Sequence, residues 1–289
     1  MLQHWTGVAG KRVVITGATN GIGLAAAEEL AARGAQLTLV ARSEARAAPA
    51  IARIGARARE DATVEVAICD LSLQASVRAL AAELLERYQR IDALVNNAGA
   101  LYRGHVSSGD GIELTWALNH LAPFLLTELL AERILASAPA RIVTTSSDAH
   151  RGRRLVLEPA SGVPGPGTSR GFRRYGETKL ANILFTTELA RRIEGSGVTA
   201  NCFHPGLVAS GFNRNNGSLA RAAMTLMRPL SRSPAEGART LVWLLDSDEV
   251  SAISGGYFAD ERLVTPSAEA ADPDTARALW ELSRAQVGL

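Results

Sequence analysis

The sequence predicts an α/β fold: one doubly wound parallel sheet of about seven strands with helices on both faces. Three observations carry this. Short β-branched runs such as Arg-Val-Val-Ile-Thr at 12–16 show no polar alternation, as expected of strands buried on both faces. Segments with apolar residues at helical spacing lie between those runs. Strand and helix then alternate along the chain, the rhythm of parallel pairing through helical crossovers. With 289 residues, 47% of them hydrophobic, the chain can bury the core of one such unit, and 1–289 is read as a single domain.

After the first strand, residues 21–33 form a helix with Ala and Leu on one side, ended by Gly34. Strand 36–41 follows, then a helix over 44–59 in spite of Pro49. The third strand is 63–69. Ser72 caps a helix whose apolar face is Val77, Leu80, Ala81, Leu84, Leu85 and Tyr88. Strand 93–96, a long helix over 111–137 and strand 141–146 come next. Around 151–173 the periodicity breaks into a Gly/Pro-rich surface excursion. A helix opening near Tyr175 runs to Arg191, and a sixth strand occupies 198–203. Residues 210–232 are a polar stretch, followed by a helix at 234–246, a short strand near 256–258 and a terminal helix at 272–286.

Composition narrows the function. Lysine plus arginine number 31 and aspartate plus glutamate 29, a formal net charge of +2 that calls for no nucleic acid and no anionic surface. No apolar run reaches the ~18 residues of a spanning helix, so no integral membrane segment is expected. The two cysteines, Cys69 and Cys202, sit in apolar strand-like runs, which suits free thiols in a cytoplasmic protein. No His/Asp/Glu spacing suggests a metal.

Thr16-Gly17-Ala18-Thr19-Asn20-Gly21-Ile22-Gly23 lies between the first strand and the first helix. Gly17 permits a tight turn, Gly21 lets the main chain approach a pyrophosphate, and Gly23 lets the helix pack closely. The helix N-terminus adds amide donors and its positive dipole end. Thr19, Asn20 and Ile22 fall within this cofactor-facing turn. At the end of the second strand an acidic residue would bind the ribose hydroxyls of NAD. Here Ala41-Arg42-Ser43 offers none, and Arg42, assisted by Arg46, would meet a 2′-phosphate instead. NADP(H) is therefore expected over NAD(H).

Tyr175 and Lys179 are four residues apart on a predicted helix and share a face. A free phenol titrates near pH ~10, too high for a proton shuttle at neutral pH. An ammonium about 5 Å away, at an effective dielectric of about 20, would favour the phenolate by roughly 3 kcal/mol. Such a pull lowers the phenol by about two pKa units and makes Tyr175 a usable general acid/base.

Taken with Asn96-Asn97-Ala98-Gly99 after the fourth strand and Ser146-Ser147 after the fifth, these motifs give the chain a resemblance to the short-chain dehydrogenase/reductase family. Asn119-His120-Leu121-Ala122-Pro123-Phe124, Ser147-Asp148-Ala149-His150, Lys179-Leu180-Ala181-Asn182 and Ser254-Gly255-Gly256-Tyr257-Phe258 look like its retinol dehydrogenase-like branch, as does the long gap between Ser147 and Tyr175. The resemblance implies a Rossmann fold. It also implies that Asp70 and Leu71 hold the adenine, that Asn97, Ala98 and Gly99 line the adenine-ribose side, and that Pro205, Gly206, Val208 and Ser210 meet the nicotinamide amide. In catalysis it gives Ser147 the substrate oxygen, Tyr175 the proton, Lys179 the nicotinamide ribose, and Asn119 a water linking Lys179 to solvent. Ser146 is left to bond locally.

The resulting expectation is an NADP(H)-dependent enzyme interconverting a carbonyl and an alcohol on a lipophilic small molecule. Phe212, Leu219, Met224, Leu226 and Met227 would form an apolar lid. A non-catalytic NADP(H)-sensing protein is the alternative, and a sugar-nucleotide epimerase a third reading that the glycine spacing and length disfavour. His150 and His204 are expected to be structural hydrogen-bonders, the basic run 151–154 a solvated loop, and Trp116, Trp243 and Trp280 core or subunit-contact residues. A homodimer or homotetramer is expected, with helices 111–137 and 175–191 pairing between subunits as in the family.

Overall fold

The computed structural model of the chain describes residues 5–157, 171–208 and 231–289. Ser210, the five lid residues and most of the two excursions (158–170 and 209–230) lie outside the described residues. Seven strands run parallel: β1 (Arg12–Thr16), β2 (Gln36–Ala41), β3 (Val64–Ile68), β4 (Ala93–Asn96), β5 (Ala140–Thr145), β6 (Val198–Phe203) and β7 (Tyr257–Ala259). An eighth, β8 (Arg262–Leu263), pairs antiparallel with β7 and raises the expected count by one. Asp260 and Glu261 join them with φ of 52° and 60°. Glycine or asparagine is the usual sign of such a turn, and neither is present. The sheet order is β3-β2-β1-β4-β5-β6-β7-β8. Its strand order reverses between β1 and β4, where a doubly wound sheet opens its ligand crevice.

Two apolar layers sandwich the sheet. On one face, α1 (Gly21–Ala32), α2 (Glu44–Gly55) and α7 (Pro234–Asp246) bury Leu24, Leu30, Ile54, Leu241 and Leu245 over β1 and β2. On the other lie α3 (Gln74–Arg87), α5 (Ala122–Ala136), α6 (Phe172–Arg192) and α8 (Pro273–Val287). Cys69 and Cys202 are buried and free.

Two local expectations need correction. Ser72 does not cap α3, which starts two residues later; its hydroxyl bonds Asp70, while the Asp110 carboxylate takes the first amide of the helix, that of Gln74, at 2.8 Å. Nor is 111–137 one helix. Gly111 has φ of 76°, Ser107 and Glu113 form an antiparallel bridge, and the Glu113 carboxylate accepts the amides of Thr115 and Trp116. The helix therefore begins only at α4 (Leu114–Trp116), passes through a π-helical turn at Ala117–Leu121 and continues as α5. Pro123 explains the change of register: it has no N–H to give the Asn119 carbonyl, four residues earlier, its α-helical bond.

The helices expected to pair between subunits are largely covered within the chain. α8 lies over α6, where the Trp280 ring stacks on Phe185 (5.8 Å) and meets Phe124 edge-on (5.0 Å). Arg284 bonds Glu128, Arg192 bonds Glu281, and Trp116 Nε1 donates to Gln286 at 2.9 Å. Along α6 every residue from Gly176 to Ala190 is buried or half-buried. Trp116 and Trp280 are core residues, and Trp243 is half-buried against Phe258.

Candidate active site

The site gathers at the carboxyl ends of β1, β4, β5 and β6. β1 delivers the glycine turn, which the side chains of Thr16 and Asn97 tie to the 97–99 loop through main-chain partners. Thr16 Oγ1 donates to the Val95 carbonyl (3.1 Å) and accepts the amides of Asn97 and Ala98, both at 3.0 Å. Asn97 Nδ2 donates back to the carbonyls of Thr16 (3.0 Å) and Gly17 (3.1 Å). A methyl group at Gly17 would lie 2.7 Å from Ala98 Cα, and one at Gly23 would lie 2.4 Å from the Gly17 carbonyl oxygen. No side chain fits at either point, and the groove so kept open is what a dinucleotide needs. The Asn97 side chain is spent on this turn rather than aimed at a ribose. Ile22 and Val208 meet against Gly237 of α7, where a Cβ would lie 2.5 Å from Val208.

Arg42 is exposed just past β2. Asp70, just past β3, accepts both the amide and the hydroxyl of Ser72 (3.0 and 2.7 Å). Between them stands half-buried Tyr102, which motif reading missed because it belongs to no motif. Burial raises its phenol above the usual range, with Arg42 pulling down and Asp70 and Glu113 pushing up. Leu71 is half-buried and packs on the core layer beneath.

At the catalytic end, Ser146 is buried and donates to the Lys179 carbonyl at 2.8 Å, as its expected local role requires. Ser147 follows in extended conformation, takes the Ala149 amide on its hydroxyl at 3.2 Å, and hydrogen-bonds the Tyr175 phenol. Gly176 makes this approach possible: a Cβ there would lie 2.4 Å from the Ala149 carbonyl oxygen. Lys179 is buried, its Nζ 5.5 Å from the centre of the Tyr175 ring and donating to the Thr145 carbonyl at 2.8 Å. Gly99 closes the group, since a Cβ on it would sit 3.3 Å from Asn119 Oδ1 and 3.8 Å from Lys179 Nζ.

Asn119 lies in the π-turn. Its Oδ1 accepts the Ala100 amide (2.8 Å), and Nδ2 donates to the Ala100 carbonyl (2.9 Å) and to Thr178 Oγ1 (3.2 Å). The side-chain amide therefore has no proton left over, and a water would be held by the main-chain carbonyl that Pro123 leaves short of its helical donor. His120 is buried with Nε2 2.8 Å from Ser283, and burial drives it down to about 4.

The electrostatic expectation for Tyr175 is overturned. Burial pushes its phenol up to about 12, against a smaller lowering by the Ser147 hydrogen bond, and burial brings the Lys179 ammonium down to about 8. The Coulomb argument placed both groups in a screened medium. Their actual surroundings penalise either charge, and the ammonium is turned to the Thr145 carbonyl.

His150 and His204 do bond structurally. His150 Nδ1 lies 2.8 Å from the Ser147 carbonyl, and His204 contacts Asp148 through both ring nitrogens. In the basic run, Arg151 pairs with Asp148 and Arg154 with Glu269, both largely exposed. Among the described residues no cluster of three His, Cys, Asp or Glu could hold a metal ion, and no helix is long and apolar enough to cross a membrane.

Comparison with known proteins places this architecture. The short chain dehydrogenase family model matches residues 11–219. The chain belongs to that family. Retinol dehydrogenase 14 of Mus musculus is 38% identical over 97% of this chain and 86% of its own length, and human retinol dehydrogenase 13 is 36% identical over 98% and 86%. Among solved structures, a short chain dehydrogenase from Burkholderia cenocepacia in complex with NADP is 26% identical, with a TM-score of 0.68 over 92% of this chain and 99% of that one. This short-chain dehydrogenase is thus a retinol dehydrogenase-like, NAD(P)-dependent oxidoreductase.

Proposed function

We propose that the whole chain acts as an NADP(H)-dependent enzyme that interconverts a carbonyl and an alcohol on a lipophilic small molecule in the cytoplasm. The observation that carries this reading is the meeting of Ser147, Tyr175 and buried Lys179 beside a glycine turn that leaves no room for a Cβ at Gly17 or Gly23. Gly17, Gly21 and Gly23, with Thr19, Asn20 and Ile22, would hold the pyrophosphate, and Asp70, Leu71 and Ala98 the adenosine. Arg42, with no carboxylate beside it at the end of β2, would meet the 2′-phosphate. Pro205, Gly206, Val208 and Ser210 would face the nicotinamide. The bound nicotinamide supplies or accepts the hydride.

In carbonyl reduction, Ser147 donates a hydrogen bond to the substrate oxygen and stabilises the charge that develops there. Tyr175, protonated at neutral pH because burial raises it, gives its proton to that oxygen. Lys179 stays cationic below its value of about 8 and holds the ribose. The Asn119 carbonyl keeps the replacement water. A lipophilic substrate is supported by Phe172, which is 60% exposed with its ring 6.1 Å from that of Tyr175. The names of the relatives point the same way. Free buried thiols support the cytoplasm.

The test is NADPH oxidation with aliphatic, aromatic and steroidal carbonyls, wild type against Tyr175→Phe. The expected result is turnover that the substitution lowers by about 10²–10⁴-fold. A Tyr175→Phe protein as active as wild type, or NADPH binding without turnover of any carbonyl, would favour the sensor alternative.

A further inference from the structure

Next to the Ser147–Tyr175 pair stand two histidines that the chemistry above does not use. Their hydrogen bonds define which nitrogen of each ring carries the proton. His204 closes β6 and faces the residue after Ser147: its Nδ1 accepts the Asp148 amide at 3.3 Å, and its Nε2 lies 3.3 Å from Asp148 Oδ2. An accepting Nδ1 leaves the proton on Nε2, which lies near the Asp148 carboxylate. His150 is wired the opposite way. Its Nε2 accepts the Ser267 amide at 3.1 Å, so its proton sits on Nδ1, 2.8 Å from the Ser147 carbonyl it donates to.

Ser147 is thereby held from both sides. Its own carbonyl is clamped by His150. The next residue, Asp148, is clamped by His204, by the Tyr257 hydroxyl at 3.1 Å and by Arg151 Nε at 3.2 Å. Ser147 adds a hydrogen bond from the Ala149 amide, which leaves its hydroxyl hydrogen directed by these anchors. We propose that His150 and His204 are positioning residues that hold Ser147 toward the substrate oxygen only while both imidazoles are neutral, so that this pair sets the acid limb of the activity profile. The inference deepens the carbonyl–alcohol reading and rests on it.

The reason is steric and electrostatic. An added proton goes onto the accepting nitrogen of either ring, and an N–H then points at a main-chain N–H. One bond is lost and two donors face each other, at a buried ring for His150 and a half-buried one for His204. Around His204 the charged and titratable groups are Asp148, Arg232, Asp260 and His150; around His150 they are Arg151, Asp148 and Glu269, with the Tyr257 ring edge-on at 5.2 Å. In both cases burial outweighs the neighbouring carboxylates and holds the imidazole below its ordinary value. Linkage has a definite sign: the unfolded chain takes up these protons below about pH 6.5 and the folded one only at lower pH, so the clamp persists until pH falls through the depressed folded range and stability is lost on the way.

Glutamine can imitate either neutral tautomer, since its carbonyl accepts the main-chain amide, its NH₂ donates, and it does not titrate. With NADPH and a reduced carbonyl, His150→Phe and His204→Phe should each lower kcat by about tenfold or more with the NADPH dissociation constant unmoved. His150→Gln and His204→Gln should recover most of that loss. The double Gln variant should keep its kcat on the acid side, where wild type falls away as its imidazoles take up protons. A double Gln variant with the wild-type acid limb, or Phe variants with wild-type kcat, would overturn the proposal. Nitrogen-15 NMR of the free protein reads the wiring without any turnover: His204 is expected as the Nε2–H tautomer and His150 as Nδ1–H, and the reverse assignment of either also overturns it. A wild-type protein that binds NADPH and reduces nothing sinks the carbonyl reading instead, whatever the tautomers show.

Discussion

The two ends of the cofactor cleft are made of different materials. At the phosphate end the shape is set by close backbone approach: Gly17 and Gly23 leave no room for a Cβ, and the Thr16 and Asn97 side chains tie main-chain amides and carbonyls together. The catalytic end is made of side chains, with Lys179, His120 and His150 buried and Ser147, Tyr175 and His204 half-buried, and the titratable ones hold protons in surroundings that disfavour charge. Backbone geometry follows from residue type, so the first end can be read from letters. Proton affinity follows from burial, which letters four apart on a helix do not report.

This contrast can be strained at several points. The largest effect is expected behind the catalytic helix, where Trp280→Ala opens a cavity between Phe124 and Phe185 and should cost about 3–5 kcal/mol by denaturant unfolding. Stability near wild type would mean that α8 is not what keeps α6 in place. At the phosphate end, Gly23→Ala drives a methyl group to 2.4 Å from the Gly17 carbonyl, and a loss of about 1–3 kcal/mol together with NADPH affinity is expected. Calorimetric titration with intact NADPH binding would show that the groove is not the cofactor's.

Lys179→Met should behave in the opposite sense for stability and for activity. Removing a buried ammonium is expected to stabilise the fold by about 1–3 kcal/mol at neutral pH while turnover collapses. The sign follows from linkage: between its folded value of about 8 and its ordinary 10.5, Lys179 is protonated in the unfolded chain and not in the folded one. Wild-type stability therefore gains with pH across that window, and the advantage of the Met variant should shrink there. A pH-independent difference would remove the burial argument. The smallest effect belongs to Arg42→Asp, which should shift the NADPH/NADH preference by about tenfold or more at little cost in stability. Equal changes for both cofactors in fluorescence titrations would refute the 2′-phosphate role.

Much of the molecule was legible in the sequence for physical reasons. The β-branched runs give β4 and β6 residue for residue, because strands buried on both faces admit few other patterns. Gly17, Gly21 and Gly23 were found through the backbone conformations and close approaches they allow. The π-turn at Ala117–Leu121 was not foreseen, although Pro123 and Asn119 stood four apart as its signal. Tyr102 was missed because it carries no motif, and Gly176, inside the Tyr175–Lys179 motif, gains its role only once the 147–150 segment is laid against α6. β8 hid in an Asp-Glu turn without glycine. The aromatic packing of α8 over α6 depends on contacts between distant parts of the chain that periodicity cannot rank.

The sharpest measurement is the titration of Tyr175 itself. Tyrosine labelled with carbon-13 at Cζ, with Tyr175→Phe to assign the resonance, reports its ionisation in the cofactor-free protein. Burial predicts a phenol that stays protonated past the ordinary value of 10 and titrates at about 12. A resonance already in its phenolate form at pH 8 would restore the lysine-driven picture and contradict a site whose proton affinities are set by burial.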